Sequence, residues 1–141
     1  MAVVVKRVYE AASSSDGVRV LVDRLWPRGL KKEDAAVKFW LRQAAPSHEL
    51  RQWFHENPEG WRMFRKRYLK ELVSDEGSAA LEKLHHLAEV RRRVTLLYAS
   101  RNEEHNNAIV LKELLEGMRK PPSSVGRGAL GRGRFRKAKR Q

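Results

Sequence analysis

The sequence predicts a single α/β domain, a small parallel or mixed sheet flanked by helices, followed by a disordered basic tail. Three observations carry this. Two short apolar runs, "VRVLV" (Val18–Val22) and "VTLLYA" (Val94–Ala99), are nearly continuous in Val and Leu and bounded by turn signals, as strands buried on both faces are. Several helical stretches lie between them, and long helical connections between buried strands favour parallel pairing. Finally, residues 119–141 hold nine Lys or Arg and no acid, interspersed with glycines, with no periodic apolar face. The division is therefore 1–118 for the globular domain and 119–141 for the tail.

Taken in order, "AVVVKRVY" is β-branched and suits a strand, and "SSSDG" (Ser13–Gly17) is turn chemistry. After Val18–Val22, Pro27 and Gly29 end the strand. From Glu33 the period changes, and Val37, Trp40, Leu41 and Ala44 follow helical spacing. "AAPS" breaks that segment. Ser47 is an N-cap candidate for a helix carrying Leu50, Trp53 and Phe54. Beyond "NPEG", Trp61, Phe64, Tyr68, Leu69 and Leu72 mark one face of a longer helix with "RKR" opposite. Gly77-Ser78 opens another helix, with Leu81, Leu84, Leu87 and Ala88 inward. "SRNEEHN" (Ser100–Asn106) follows the last strand, and Asn102 reads as the N-cap of a final helix through Ala108, Leu111, Leu115 and Met118.

Composition excludes several classes. The 141 residues contain no cysteine, which rules out disulfides, thiolate metal sites and a cysteine nucleophile, and fits a cytoplasmic location. No apolar run approaches the roughly 20 residues of a membrane span, and "MAVVVKRVYE" lacks the form of a signal peptide. The net charge of +13 leaves +4 on residues 1–118 once the tail is set aside. No phosphate loop, GxGxxG, HExxH or calcium-loop spacing is present, so no cofactor is identified and no metal assigned, although Asp23, Glu104 and His105 are of ligand type.

The candidate site follows from topology. In open α/β sheets, ligands bind beyond the carboxyl ends of the strands. Two strands end in polar loops, "DRLWPRG" and "SRNEEHN". If those strands are parallel neighbours, the loops meet and gather Asp23, Arg24, Trp26, Arg28, Ser100, Arg101, Glu104, His105 and Asn106. Arg24, Arg28 and Arg101 would offer planar forks to a phosphate or carboxylate, and Trp26 a stacking face. Ser47 and Ser100 would add hydroxyls, though neither sits in a nucleophile elbow. Asp23 and His105 would serve as base and acid in an enzyme acting on a phosphorylated or nucleotide-like small molecule. Each residue also has a plainer reading. Asp23–Arg24 can be a structural ion pair, Trp26 a lid on the core, His105 an exposed helix-start histidine, and Glu103 and Glu104 dipole partners. Trp40, Trp53, Trp61, Phe64 and Tyr68 read as core, and His85-His86 as a solvated face. The alternative function is a non-catalytic nucleic-acid-binding or regulatory module using the tail at 119–141.

At "LVDRLWPRGL", "APSHELRQWF" and "LLYASRNEEHNNAIVL" the sequence resembles the domain-of-unknown-function family 488, in its YeaO-like branch, over about residues 4–117. The resemblance implies a compact bacterial or archaeal α/β protein and assigns no activity. Its characteristic positions fall on Asp23, Arg24, Trp26, Pro27, Arg28 and Gly29, on Ala45, Pro46 and Ser47, on Trp53 and Phe54, and on His105 and Asn106. This chain departs where members read "LLYAARD": it has Asn102 in place of the acid, and the basic tail lies outside the shared domain.

Overall fold

The structure, a computed structural model, describes residues 2–117. Four strands, β1 (Ala2–Arg7), β2 (Val18–Leu21), β3 (Phe39–Trp40) and β4 (Arg93–Tyr98), form one sheet in the order β1-β4-β2-β3. Every pairing is parallel, with Val3 opposite Val94, Val20 opposite Leu96 and Leu21 opposite Trp40. The helices are α1 (Lys32–Ala35), α2 (His48–Glu56), α3 (Trp61–Glu71), α4 (Asp75–Arg91) and α5 (Asn107–Gly117). None of the helices among the described residues is long and apolar enough to cross a membrane.

Strand alternation sorts the side chains into two layers. Val3, Val20, Val22, Val94, Leu96 and Tyr98 point to one face and pack on Phe64, Tyr68, Leu81, Leu84 and Leu111 of the long helices. Leu21 and Leu97 point to the other, against Val8, Ala35, Trp26, Leu30, Val37 and Trp40. That second layer is built from connecting segments rather than long helices. Its amino-terminal end is polar and paired. Buried Arg19 donates to Asp16 at 2.6 Å and to the Ala35 carbonyl at 2.7 Å, Lys6 reaches Asp16 at 3.1 Å, and Thr95 donates to the Asp16 carbonyl at 2.6 Å. Gly17 is required there. Its backbone (φ 67°, ψ −137°) is closed to side-chain-bearing residues, and a Cβ would run into the Arg93 carbonyl.

Four expectations are corrected. Residues 37–44 are not one helix. Lys38 and Leu41 donate backbone N–H groups to the Arg19 and Leu21 carbonyls, which pulls Phe39–Trp40 into the sheet before a 3-10 turn at Arg42–Ala44. Helix α4 starts before Gly77, capped by Ser74, whose Oγ accepts from Gly77 N at 3.2 Å. His85 is buried, with Nδ1 3.6 Å from Glu89, while only His86 is exposed. And Asn102 does not cap α5. Asn106 precedes that helix, and its Oδ1 accepts from Ile109 N at 3.0 Å.

Candidate functional site

Because β2 and β4 are adjacent and parallel, their carboxyl ends open side by side, and the loops after them meet. A cavity of about 600 Å³ lies there, within the usual range for small-molecule sites. Asp23 and Arg24 line it from the β2 side, and Ser100, Arg101, Asn102, His105 and Asn106 from the β4 side.

Asp23 is the hinge of the arrangement. Its Oδ2 accepts from Ala99 N at 2.9 Å and its Oδ1 from Asn107 Nδ2 at 3.1 Å, so one carboxylate joins the ends of β2 and β4 to the start of α5. Burial pushes its carboxyl above the usual carboxylate range. The Ala99 N–H, the Asn107 amide and the charge of Arg51 pull the other way without cancelling it. Arg24 spends Nε on the Pro46 carbonyl at 3.1 Å and Nη2 on the Ala45 carbonyl at 3.3 Å, which docks the "DRLWPRG" loop onto the "APS" turn.

The β4 loop is held from within and from below. Arg7 donates to the carbonyls of Ala99 at 3.0 Å and Ser100 at 2.9 Å. Asn102 Oδ1 accepts from the backbone of Glu104 at 3.0 Å and His105 at 2.9 Å, and Ser100 Oγ accepts from Asn102 N. A carboxylate at 102 would close the same turn, so the Asn there preserves the backbone while removing the charge. The His105 ring lies parallel to Trp61, with centroids 4.6 Å apart and planes 10° from each other. Behind it, Phe64 stacks on both Phe54 and Trp61, and Phe54 meets Trp61 at a tilt.

Four residues expected in the cleft lie outside the lining, Glu104 among them, exposed on the β4 loop. Past Pro27 the chain turns onto the other face of the sheet. Trp26 follows it, donating Nε1 to the Leu30 carbonyl at 2.6 Å and meeting Trp40 edge-on. Arg28 is exposed on that turn, with its carbonyl taken by the Tyr9 hydroxyl at 2.9 Å. Ser47 sits beside Pro46, but its Oγ caps α2 through Leu50 N at 3.1 Å and donates to Glu71 Oε2 at 2.6 Å. Conversely, Arg51, Gln52, His55, Phe54 and Phe64 line the cavity and were not expected there. Arg51 and His55 are four residues apart on one helix face, a polar stripe beside the apolar Leu50–Trp53–Phe54 face. Neither Arg51 nor Arg101 makes a hydrogen bond or ion pair among the described residues. No group of three or more His, Asp or Glu among those residues is placed to hold a metal ion. The basic segment 119–141, expected to contact nucleic acid, lies outside them.

Comparison with known proteins points to the same family. A family model described as the "Inactive DUF488-N3 subclade" matches residues 2–123. The chain is similar to the uncharacterized protein YeaO of Escherichia coli strain K12, 43% identical over 115 residues, covering 80% of this chain and 96% of the relative. It is also similar to the uncharacterized protein Rv3073c of Mycobacterium tuberculosis strain H37Rv, 46% identical over 113 residues, covering 80% of this chain and 92% of the relative. No solved structure matches it.

Proposed function

The chain belongs to the DUF488 family, in the subclade described as inactive, and from that premise we propose that its cleft binds a small anionic molecule of the phosphorylated or nucleotide-like class without transforming it. The observation that carries this reading is a charge imbalance. Three guanidinium side chains, Arg24, Arg51 and Arg101, line the cavity with a single carboxylate, Asp23, which already serves the scaffold. Planar forks with open donors in a concave, partly apolar site suit phosphate or carboxylate oxygens. The aromatic side chains Phe54, Phe64 and His105 give the cavity a flat wall, which favours a ligand with a ring beside its anion.

Two features support binding over catalysis. Both Asp23 oxygens hold scaffold donors, so proton abstraction there would loosen the sheet edge that builds the site. The family model's description as inactive agrees with that.

A thermal-shift panel of orthophosphate, nucleoside monophosphates and sugar phosphates tests the reading. At least one member should raise the melting temperature of the wild type. Arg101→Ala should remove the rise without lowering the unliganded value, since its side chain makes no hydrogen bond or ion pair among the described residues. Arg51→Ala should also remove it, with a small loss of unliganded stability because its charge favours ionised Asp23. Arg24→Ala should lower both. If no member stabilises the wild type, or both variants respond as it does, the anion site is wrong. Consumption of the bound molecule by the wild type, lost in Asp23→Asn and His105→Ala, would restore the enzymatic reading.

A further inference from the structure

Helix α3 carries more positive charge than its contacts among the described residues use. Its sequence, WRMFRKRYLKE, holds Arg62, Arg65, Lys66, Arg67 and Lys70 against one acid, Glu71. Five bases and one acid account for the whole +4 excess of residues 1–118, so the rest of the domain is formally balanced. Three of the five, Arg62, Lys66 and Lys70, recur every fourth residue as a single exposed stripe. Burial of Phe64 and Tyr68 on the reverse side aims that stripe outward.

The other helices use the same four-residue spacing differently. Lys112 meets Glu116 at 2.8 Å on α5, and Gln52 meets Glu56 at 3.0 Å on α2. Along α3 the stripe repeats one sign, an arrangement that works against an isolated helix. Neighbouring groups do not neutralise it. Among the described residues the ion pair of α3 is Arg65–Glu113 at 3.2 Å, on the flank of the stripe. Arg67 lies over the Trp53 ring at 4.8 Å, and Glu71 is taken up by Ser47.

We propose that this face of α3 docks on the phosphate backbone of a nucleic acid, independently of the small-anion cleft. Three cations spaced about 6 Å apart span about 12 Å, too far for one phosphate to bridge but close to every second phosphate along a strand that rises roughly 3.4 Å per phosphate. An anionic lipid surface fits less well, because the apolar face that would enter it is packed in the core. An acidic peptide would need apolar anchors, and on α3 itself the exposed large hydrophobic side chain is Met63. With only cations in the stripe, contacts to phosphate dominate, and recognition is of charge spacing rather than sequence.

The test uses the full chain, including residues 119–141, with fluorescent 20-nucleotide single strands and duplexes across a salt series. Arg62→Ala/Lys66→Ala/Lys70→Ala should bind at least tenfold more weakly. Its slope of log affinity against log salt should be shallower by about 2 to 3, as expected for three lost phosphate contacts. Alanine is the best helix former, so its thermal unfolding should match the wild type. The control Lys31→Ala/Lys32→Ala/Lys38→Ala removes the same charge from the segment covering the other sheet face and should keep the wild-type slope. The proposal fails if the α3 variant keeps the wild-type slope, which would place binding in residues 119–141. It fails if the control loses as much, which would make the effect one of net charge. It also fails if the wild type binds phosphatidylserine vesicles but neither nucleic acid.

Discussion

The side-chain amide of Asn107 fastens the first turn of α5 to the end of β2, donating to the Val22 carbonyl at 2.8 Å and to Asp23 Oδ1 at 3.1 Å. One amide thus holds a helix start, a strand end and the carboxylate at the centre of the cleft. Asn107→Ala leaves a buried carbonyl and a largely buried carboxylate oxygen without their donor, and is expected to cost about 2–3 kcal/mol. Urea unfolding of the variant and the wild type measures this directly. A loss under about 0.5 kcal/mol, the level of an ordinary surface substitution, would mean the amide is not the fastening described.

At the opposite end of the sheet, Asp16 responds to acid in the other sense from Asp23. Burial alone would raise its carboxyl pKa. The Ser13 N–H, Lys6 and Arg19 outweigh burial and hold it below the usual carboxylate range. A carboxyl lowered in the folded state contributes stability above its unfolded pKa of about 4, and that stability drains as pH falls through the folded value. Asp23, raised by burial, contributes when protonated and loses that contribution as pH rises through its folded value. Asp16→Asn should therefore be about 3–5 kcal/mol less stable than the wild type near pH 7, where it strands buried Arg19. The gap should narrow steadily below about pH 4. A gap of constant size from pH 7 to pH 2, measured by denaturant unfolding, would contradict the assignment.

Much of this architecture can be read in the residues themselves, and the parts that cannot have physical causes. Val18–Val22 and Val94–Ala99 declare themselves because parallel strands buried on both faces have no polar side to show. The rule that ligands sit beyond strand carboxyl ends then brings Asp23, Arg24, Ser100, Arg101, His105 and Asn106 to one cavity. Strand β3 is different. Val37 and Trp40 keep helical spacing with Leu41 and Ala44, and the extended conformation of Phe39–Trp40 is imposed by hydrogen bonds that Lys38 and Leu41 donate to β2 carbonyls, a tertiary contact without a local signal. Arg51 and His55 reach the cavity through tertiary contacts that join α2 to α3, among them the Phe54–Phe64 stack and the Arg67–Trp53 contact. Trp26, Arg28 and Ser47 shared the motifs of the cleft but were drawn off by local bonding, the first two by a turn onto the other face and the third by a helix cap.

That cap makes a prediction which ordinary capping rules would get wrong. At most N-caps Ser and Asp are interchangeable, since either oxygen accepts the free N–H groups of the first turn. Here Ser47 Oγ accepts from Leu50 N and also donates to Glu71 Oε2, while Ser47 N donates to Glu71 Oε1 at 2.8 Å. The hydroxyl works because it can both give and take; a carboxylate can only take. Ser47→Ala should cost about 1–2 kcal/mol, for one lost cap and one lost charge-assisted bond. Ser47→Asp should cost more than Ser47→Ala at pH 7, because it sets two carboxylates against each other at the end of α3, and it should recover as pH falls and one of them protonates. Ser47→Thr, which keeps the hydroxyl, should lie nearest the wild type. Melting temperatures of the three variants at pH 7 and pH 4 decide the matter: if Ser47→Asp matches the wild type at pH 7, Glu71 is not the partner that fixes the α2–α3 corner beside the cleft.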